Sequence, residues 1–220
     1  GRDPSQAPSP ICLATQSIER AVADTGNSDL HNDMDTLAVV RSFTDSLRSP
    51  FDPFGKAANF PAAIAQAAEI KPQQIIYSPA GGEQPQSLVN ELSQAIANGD
   101  IRTAMIVGSE ANAALKTALK RSVKLDWASH VSLEIQDCGP QIDFISAYEV
   151  ANGMGLPPQT YAAMEEALRA RLDMTKSEYL DYMAGICSAL SKTAVQNSFA
   201  QFPQAMSKEF LAEPSKKNYP

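Results

Sequence analysis

The residues with the strongest claim on chemistry are Gly81-Gly82, set between a short apolar stretch at Gln74–Ser78 and a helix opened by Pro85. Unpaired N–H groups at a helix N-terminus attract anions, and glycine lets an acyl or phosphate group come close. The pair also reads as a turn that needs positive φ or tight packing. Neither a G-x-G-x-x-G nor a Gly-Lys-Ser/Thr string is present, so there is no dinucleotide or P-loop fingerprint. Gly108-Ser109-Glu110 follows the next apolar run, where a carboxylate suits the start of a helix. Cys12, Cys138 and Cys187 are far apart and odd in number, which is neither a disulfide framework nor a metal-ligand spacing. Cys138 reads as a small, half-buried loop residue and Cys187 as part of a helix's apolar face. His31 and His130 have no Cys, His, Asp or Glu at ligand spacing, so no metal is assigned.

These groups need elements to hold them. Ser9-Pro10 predicts an N-cap and first turn, followed by Ile11, Ala14, Ile18 and Val22 at helical spacing, with Gly26 as the stop. Leu37–Phe43 reads as a buried strand. Asn59-Phe60-Pro61 opens a second helix carrying Ile64, Ala67 and Ala68, and Gln74–Ser78 is a short strand. Leu88, Leu92, Ala95 and Ile96 line one face of the helix after Gly81-Gly82, and Asn98-Gly99-Asp100 breaks it. Thr103–Val107 is another strand, followed by a helix with Ala114, Leu115, Ala118 and Leu119. Alternating helices and apolar strands imply a parallel sheet covered on both faces.

The alternation ends near Lys124. Trp127–Gly139 is irregular, with a strand expected at Val131–Ile135. Two helices follow, over Pro158–Leu172 and from Ser177 to Phe199. Tyr161, Met164, Tyr182 and Met183 recur on them at core spacing. The chain thus divides into an α/β domain over 1–124 and a mainly helical segment over 125–220.

Composition narrows the function classes. The chain has 220 residues, 44% hydrophobic and 20% charged, enough for a sizeable core. Net charge is -7 and the pI about 4.9, which argues against a nucleic-acid partner bound through a broad basic surface. Lys116, Lys120, Arg121 and Lys124 form the nearest basic cluster and read as a solvated face. No apolar run reaches the ~20 residues of a membrane span, and the free cysteines fit a reducing, cytoplasmic setting.

Several strings, taken in order, resemble the amino-terminal part of the thiolase superfamily, and specifically bacterial acetyl-CoA acetyltransferases and sterol-carrier-protein thiolase-like type 1 proteins. They are Arg2-Asp3-Pro4-Ser5-Gln6-Ala7-Pro8-Ser9-Pro10, Val40-Arg41-Ser42-Phe43, Ile76-Tyr77 with Gly81-Gly82, and Leu88-Val89-Asn90-Glu91. Ile106-Val107-Gly108-Ser109-Glu110-Ala111, Leu125-Asp126-Trp127, the Tyr161 to Ala170 stretch and Asn218-Tyr219-Pro220 complete the set.

The resemblance implies a thiolase-like layered α/β fold with a helical loop domain. It also implies a strand before the first helix, lying centrally in the sheet, and a second α/β half; neither is expected within this chain. The implied activity is acyl transfer between CoA thioesters through a cysteine at the N-terminus of the helix after the third strand, where the dipole favours a thiolate. Matching Gln86-Ser87 to the family pattern puts that nucleophile at or next to Gly81, where Ala80, Gly81, Gly82 and Glu83 offer no thiol. Thiolytic activity is therefore doubtful, and whether the chain is an enzyme stays open.

The alternative is a non-catalytic acyl-CoA-binding or assembly subunit. Gly81, Gly82, Ser109 and Glu110 are the substrate-contact residues that the resemblance implies. A CoA thioester is the implied substrate, acyl-CoA or CoA the implied partner, and no cofactor is held covalently. The family's edge-to-edge pairing of sheets would run here through Gln73–Ser78, in a homo- or hetero-oligomer. The segment with Tyr161, Met164, Tyr182 and Met183 would shape the acyl and CoA pocket.

Overall fold

The computed structural model describes residues 4–46, 52–139, 146–155, 157–213 and 215. Arg2, Asp3 and the Asn218-Tyr219-Pro220 string lie outside the described residues. The chain forms two compact units, Gly1–Phe144 and Ile145–Pro220.

In the first unit the order is α1 (Pro10–Asp24), β1 (Thr36–Val39), α2 (Phe60–Ala67), β2 (Gln74–Tyr77), α3 (Gln84–Asn98), β3 (Ala104–Val107), α4 (Asn112–Lys120) and β4 (Gln136–Asp137). All described strand pairs are parallel, in the order β3-β1-β2-β4. The helices start where their caps require. Ser9 Oγ accepts from the Cys12 N–H and Asn59 Oδ1 from the Ala62 N–H, each with proline in the first turn. Gly99 ends α3 in a left-handed conformation, φ 80°, that favours glycine.

Strand alternation sorts the apolar side chains into two layers. Leu37, Val39, Ile75, Tyr77 and Val107 pack with Ile18 of α1 and Ile64 of α2. Ala38 and Ile76 pack with Leu88 and Leu92 of α3 on the opposite face. The fold is thus a parallel sheet with helices on both faces, as the alternation predicts.

β1 stands between β2 and β3 and pairs with both. Several expectations need correction. The first strand stops at Val39 rather than Phe43, because the Arg41 N–H turns aside to Ser78 Oγ at 3.0 Å. The late strand is β4, not Val131–Ile135; Val131 and Ile135 instead pack against the core. Gln73–Ser78 is not an open edge, because β4 pairs with Ile76 and Tyr77. The compact unit also extends past position 124, since the Trp127 N–H donates to Phe54 O at 2.8 Å and Ser129 bridges to Ala57.

The second unit holds α5 (Ala147–Ala151), α6 (Pro157–Arg171), α7 (Lys176–Val195) and α8 (Lys208–Ala212). Capping boxes start α5 (Ser146 with Glu149) and α7 (Thr175 with Glu178). The buried stripe of α7 is Tyr179, Ala184 and Ser188. Cys187, expected in the core, is exposed, as are Tyr161, Met164 and Tyr182. The reason is local. Small Ala184 and Ser188 let the returning chain approach, and Ser188 Oγ donates to Met206 O at 2.8 Å, so the buried face rotates off the larger apolar side chains.

Asp35 ties the N-terminal ends of three strands. It accepts from the Arg102 N–H at 2.7 Å, the Thr103 N–H at 3.2 Å and Gln73 Nε2 at 2.9 Å. The Arg102 N–H, joined by that of Thr103, holds this carboxyl below its usual range, although its burial opposes the shift. Its stabilisation is therefore fully present above the ordinary carboxylate pKa and lost as pH falls through the depressed value. Asp35→Asn is expected to lower the urea midpoint of the α/β unit at neutral pH and to flatten its acid dependence. Leu37→Ala, at a fully buried site in β1, is expected to cost about 3 kcal/mol.

Candidate functional site

The parallel strands deliver their C-terminal ends to one edge of the sheet, the usual place for ligands in such folds. Arg41 and Ser42 follow β1, Ser78 to Gly81 follow β2, Ser109 and Glu110 follow β3, and Cys138 and Gly139 follow β4. Two of the expected residues meet here. Glu110 Oε1 accepts from the Phe43 N–H at 2.6 Å, which joins the loops after β3 and β1. Ser109 Oγ donates to Pro10 O at 2.6 Å and ties the same loop to the start of α1. Both line a cavity of about 80 Å³ with Ser42, Asp45, Phe54, Lys56 and Trp127 among its walls. The Phe54 and Trp127 rings meet edge to face at 5.5 Å, the favoured aromatic arrangement.

Asp45 organises the polar side of that cavity. Its Oδ2 accepts from the Tyr77 hydroxyl at 2.7 Å, and Oδ1 lies 3.4 Å from Lys56 Nζ. Burial, reinforced by the Asp45 charge, pushes the Tyr77 phenol well above its ordinary pKa. Tyr77 is therefore a fixed hydrogen-bond donor and not a proton carrier near neutral pH. Arg41 lies beside it, with Cζ 4.0 Å from the ring centroid and a side chain only 6% exposed.

Gly81 and Gly82 sit apart from this cavity lining, at the start of α3. Neither has positive φ, so conformational need does not explain them. A Cβ built on Gly81 would overlap the carboxylate of Glu83, whereas one on Gly82 meets nothing within 4 Å. Glu83 is the residue preceding the helix, and Gln84 Nε2 donates to its Oε1 at 2.9 Å. Its own backbone N–H, then the Gln84 amide, hold the carboxyl below the usual range. A negative charge thus already stands where the helix N-terminus would favour one.

The other candidates do not join the site. Cys12 and Cys138 are exposed, and neither has a histidine as hydrogen-bond partner. Among the described residues no group of three His, Cys, Asp or Glu side chains could hold a metal ion. No described helix is long and apolar enough to cross a membrane. Glu83, Arg41, Tyr77 and Asp45 escape sequence reasoning as site residues. An acidic residue at the mouth of a predicted helix is the one signal that could have marked Glu83.

Comparison with solved structures decides the fold. The chain is similar to a monomeric SCP2-thiolase like protein type 1 from Mycobacterium smegmatis, with a TM-score of 0.68 and 24% identity over 97% of this chain. The fold is thiolase-like. The chain spans 37% of the length of that thiolase-like protein. No protein-family model and no curated protein matches the sequence.

On the thiolase-like scaffold, the Glu83 carboxylate occupies the space of a side chain at position 81. In Gly81→Cys the introduced thiol is expected to titrate above the ordinary ~8.5, because a carboxylate beside it penalises the thiolate. In Gly81→Cys/Glu83→Gln it should titrate about one unit lower. The pH dependence of its alkylation by iodoacetamide measures the difference.

Proposed function

We propose that this chain binds CoA thioesters on a thiolase-like scaffold without carrying an acyl group on cysteine. The observation that carries the reading is the start of α3. It offers glycine at positions 81 and 82, and the Glu83 carboxylate fills the volume a nucleophile would need. Sulfur chemistry at that place requires a thiolate, and an adjacent carboxylate opposes one.

The ligand's acyl end fits the proposal best in the cavity bordered by Ser42, Ser109 and Glu110, whose volume of about 80 Å³ suits a small acyl group. The pantetheine and nucleotide parts would lie outside it, with Gly81 and Gly82 as close-approach positions for the neutral pantetheine arm, because the Glu83 carboxylate beside them repels the anionic nucleotide. Lys56 supplies a positive charge at the cavity wall, shared with Asp45. The reading belongs with acyl-CoA handling in a reducing compartment, where Cys12, Cys138 and Cys187 stay free thiols.

Incubation with acetyl-CoA followed by intact-mass measurement is expected to show no acetyl adduct. Titration calorimetry with CoA is expected to show saturable binding, and acetoacetyl-CoA should not turn over. A stable adduct on any cysteine, or turnover, would instead make the chain an acetyl-CoA acetyltransferase. Absence of CoA binding would overturn both readings.

A further inference from the structure

An open strand edge presents unpaired N–H and C=O groups that template another strand, and Ile75, Ile76 and Tyr77 would make that edge apolar in β2. Residues 127–139 cover it instead. They run as a strap that contributes only a two-residue ladder yet is pinned along its length.

At its beginning the Trp127 N–H donates to Phe54 O, and Ser129 O accepts from the Ala58 N–H, both at 2.8 Å. Asn59 Nδ2 donates to Leu133 O at 3.1 Å, while Val131 and Ile135 pack on the core. At its end Gln74 Nε2 donates to Gln136 Oε1 at 2.7 Å, and the Cys138 N–H to Tyr77 O at 2.9 Å. Asp137 pairs with Arg41, whose Nε also donates to Ser78 O at 2.8 Å. A Cβ on Gly139 would lie 2.7 Å from Pro79 Cα, a backbone atom that cannot yield. Only glycine therefore lets the strap lie this close to the loop after β2.

We propose that residues 127–139 are an edge guard. They hold the outer side of β2 against pairing with a second copy of this chain, with the Arg41–Asp137 pair and Gly139 as the latch. The latch stands at the C-terminal ends of β2 and β4, and neither Asp137 nor Gly139 lines the cavity. Because Gln74 and Ser78 donate to β1, strand alternation turns the Tyr77 N–H toward β4, so that amide reports on the guard.

The test uses the full chain with Gly139→Val, which lifts the strap by its clash, and separately Asp137→Ala, which removes the half-exposed carboxylate shared by Arg41 and the Gly139 N–H. Light scattering across a concentration series should show the wild type monomeric and both variants associating. Hydrogen exchange of the Tyr77 amide should speed up by about tenfold while that of Leu37 holds. Monomeric variants would overturn the proposal, whether or not Tyr77 exchange rises. Joint loss of Leu37 protection in Asp137→Ala would also overturn it, because the strap would then be a core strand and not a guard.

Discussion

The α/β unit depends on the burial of four residues, Thr36–Val39. β1 is hydrogen-bonded along both edges and covered on both faces, so its alternation dictates what its neighbours present. Leu37 and Val39 point to α1 and α2, and Ala38 points to α3. Asp35 fixes the register at one end by collecting donors from the segments before β2 and β3. At the other end Arg41 leaves the ladder for Ser78, and the loops that build the cavity begin there. A site at this edge is the consequence of parallel strands that all finish on the same side.

The same geometry sets what stands at the start of α3 on this thiolase-like scaffold. The start of α3 still offers backbone donors and a favourable dipole. The Glu83 carboxylate, held by its own N–H and by Gln84, stands beside them, although its side chain caps none of the helix's N–H groups. Gly81 then does not serve backbone freedom; its lack of a side chain leaves room for that carboxylate. The cavity, which Gly81 does not line, keeps polar groups in its walls, but Tyr77 is pinned to Asp45, and no histidine or thiol is among its described lining residues.

Much of this was legible in the residues. Apolar runs of strand length, proline after a capping Ser or Asn, and Gly99 at a helix end carry their meaning locally, and the structure follows them. Other features are set by contacts far apart in sequence. β4 is two polar residues, recognisable as a strand only through β2. The exposure of Cys187 follows from small residues that admit the chain near Met206, which helical periodicity alone cannot reveal. Glu83 looked like one more polar residue until the volume above Gly81 was known. Ser109 and Glu110 were visible as a turn after a strand, yet their partners Pro10 and Phe43 lie 99 and 67 residues away in sequence.

The central claim is non-covalent ligand binding at the C-terminal edge of this sheet. Backbone amide shifts recorded while acetyl-CoA is titrated in test it most directly. The account predicts fast, reversible shifts at Ser42, Ser109, Glu110, Gly81 and Gly82 that return on dialysis. Shifts confined to α5–α8, or any that persist after the ligand is removed, would contradict it.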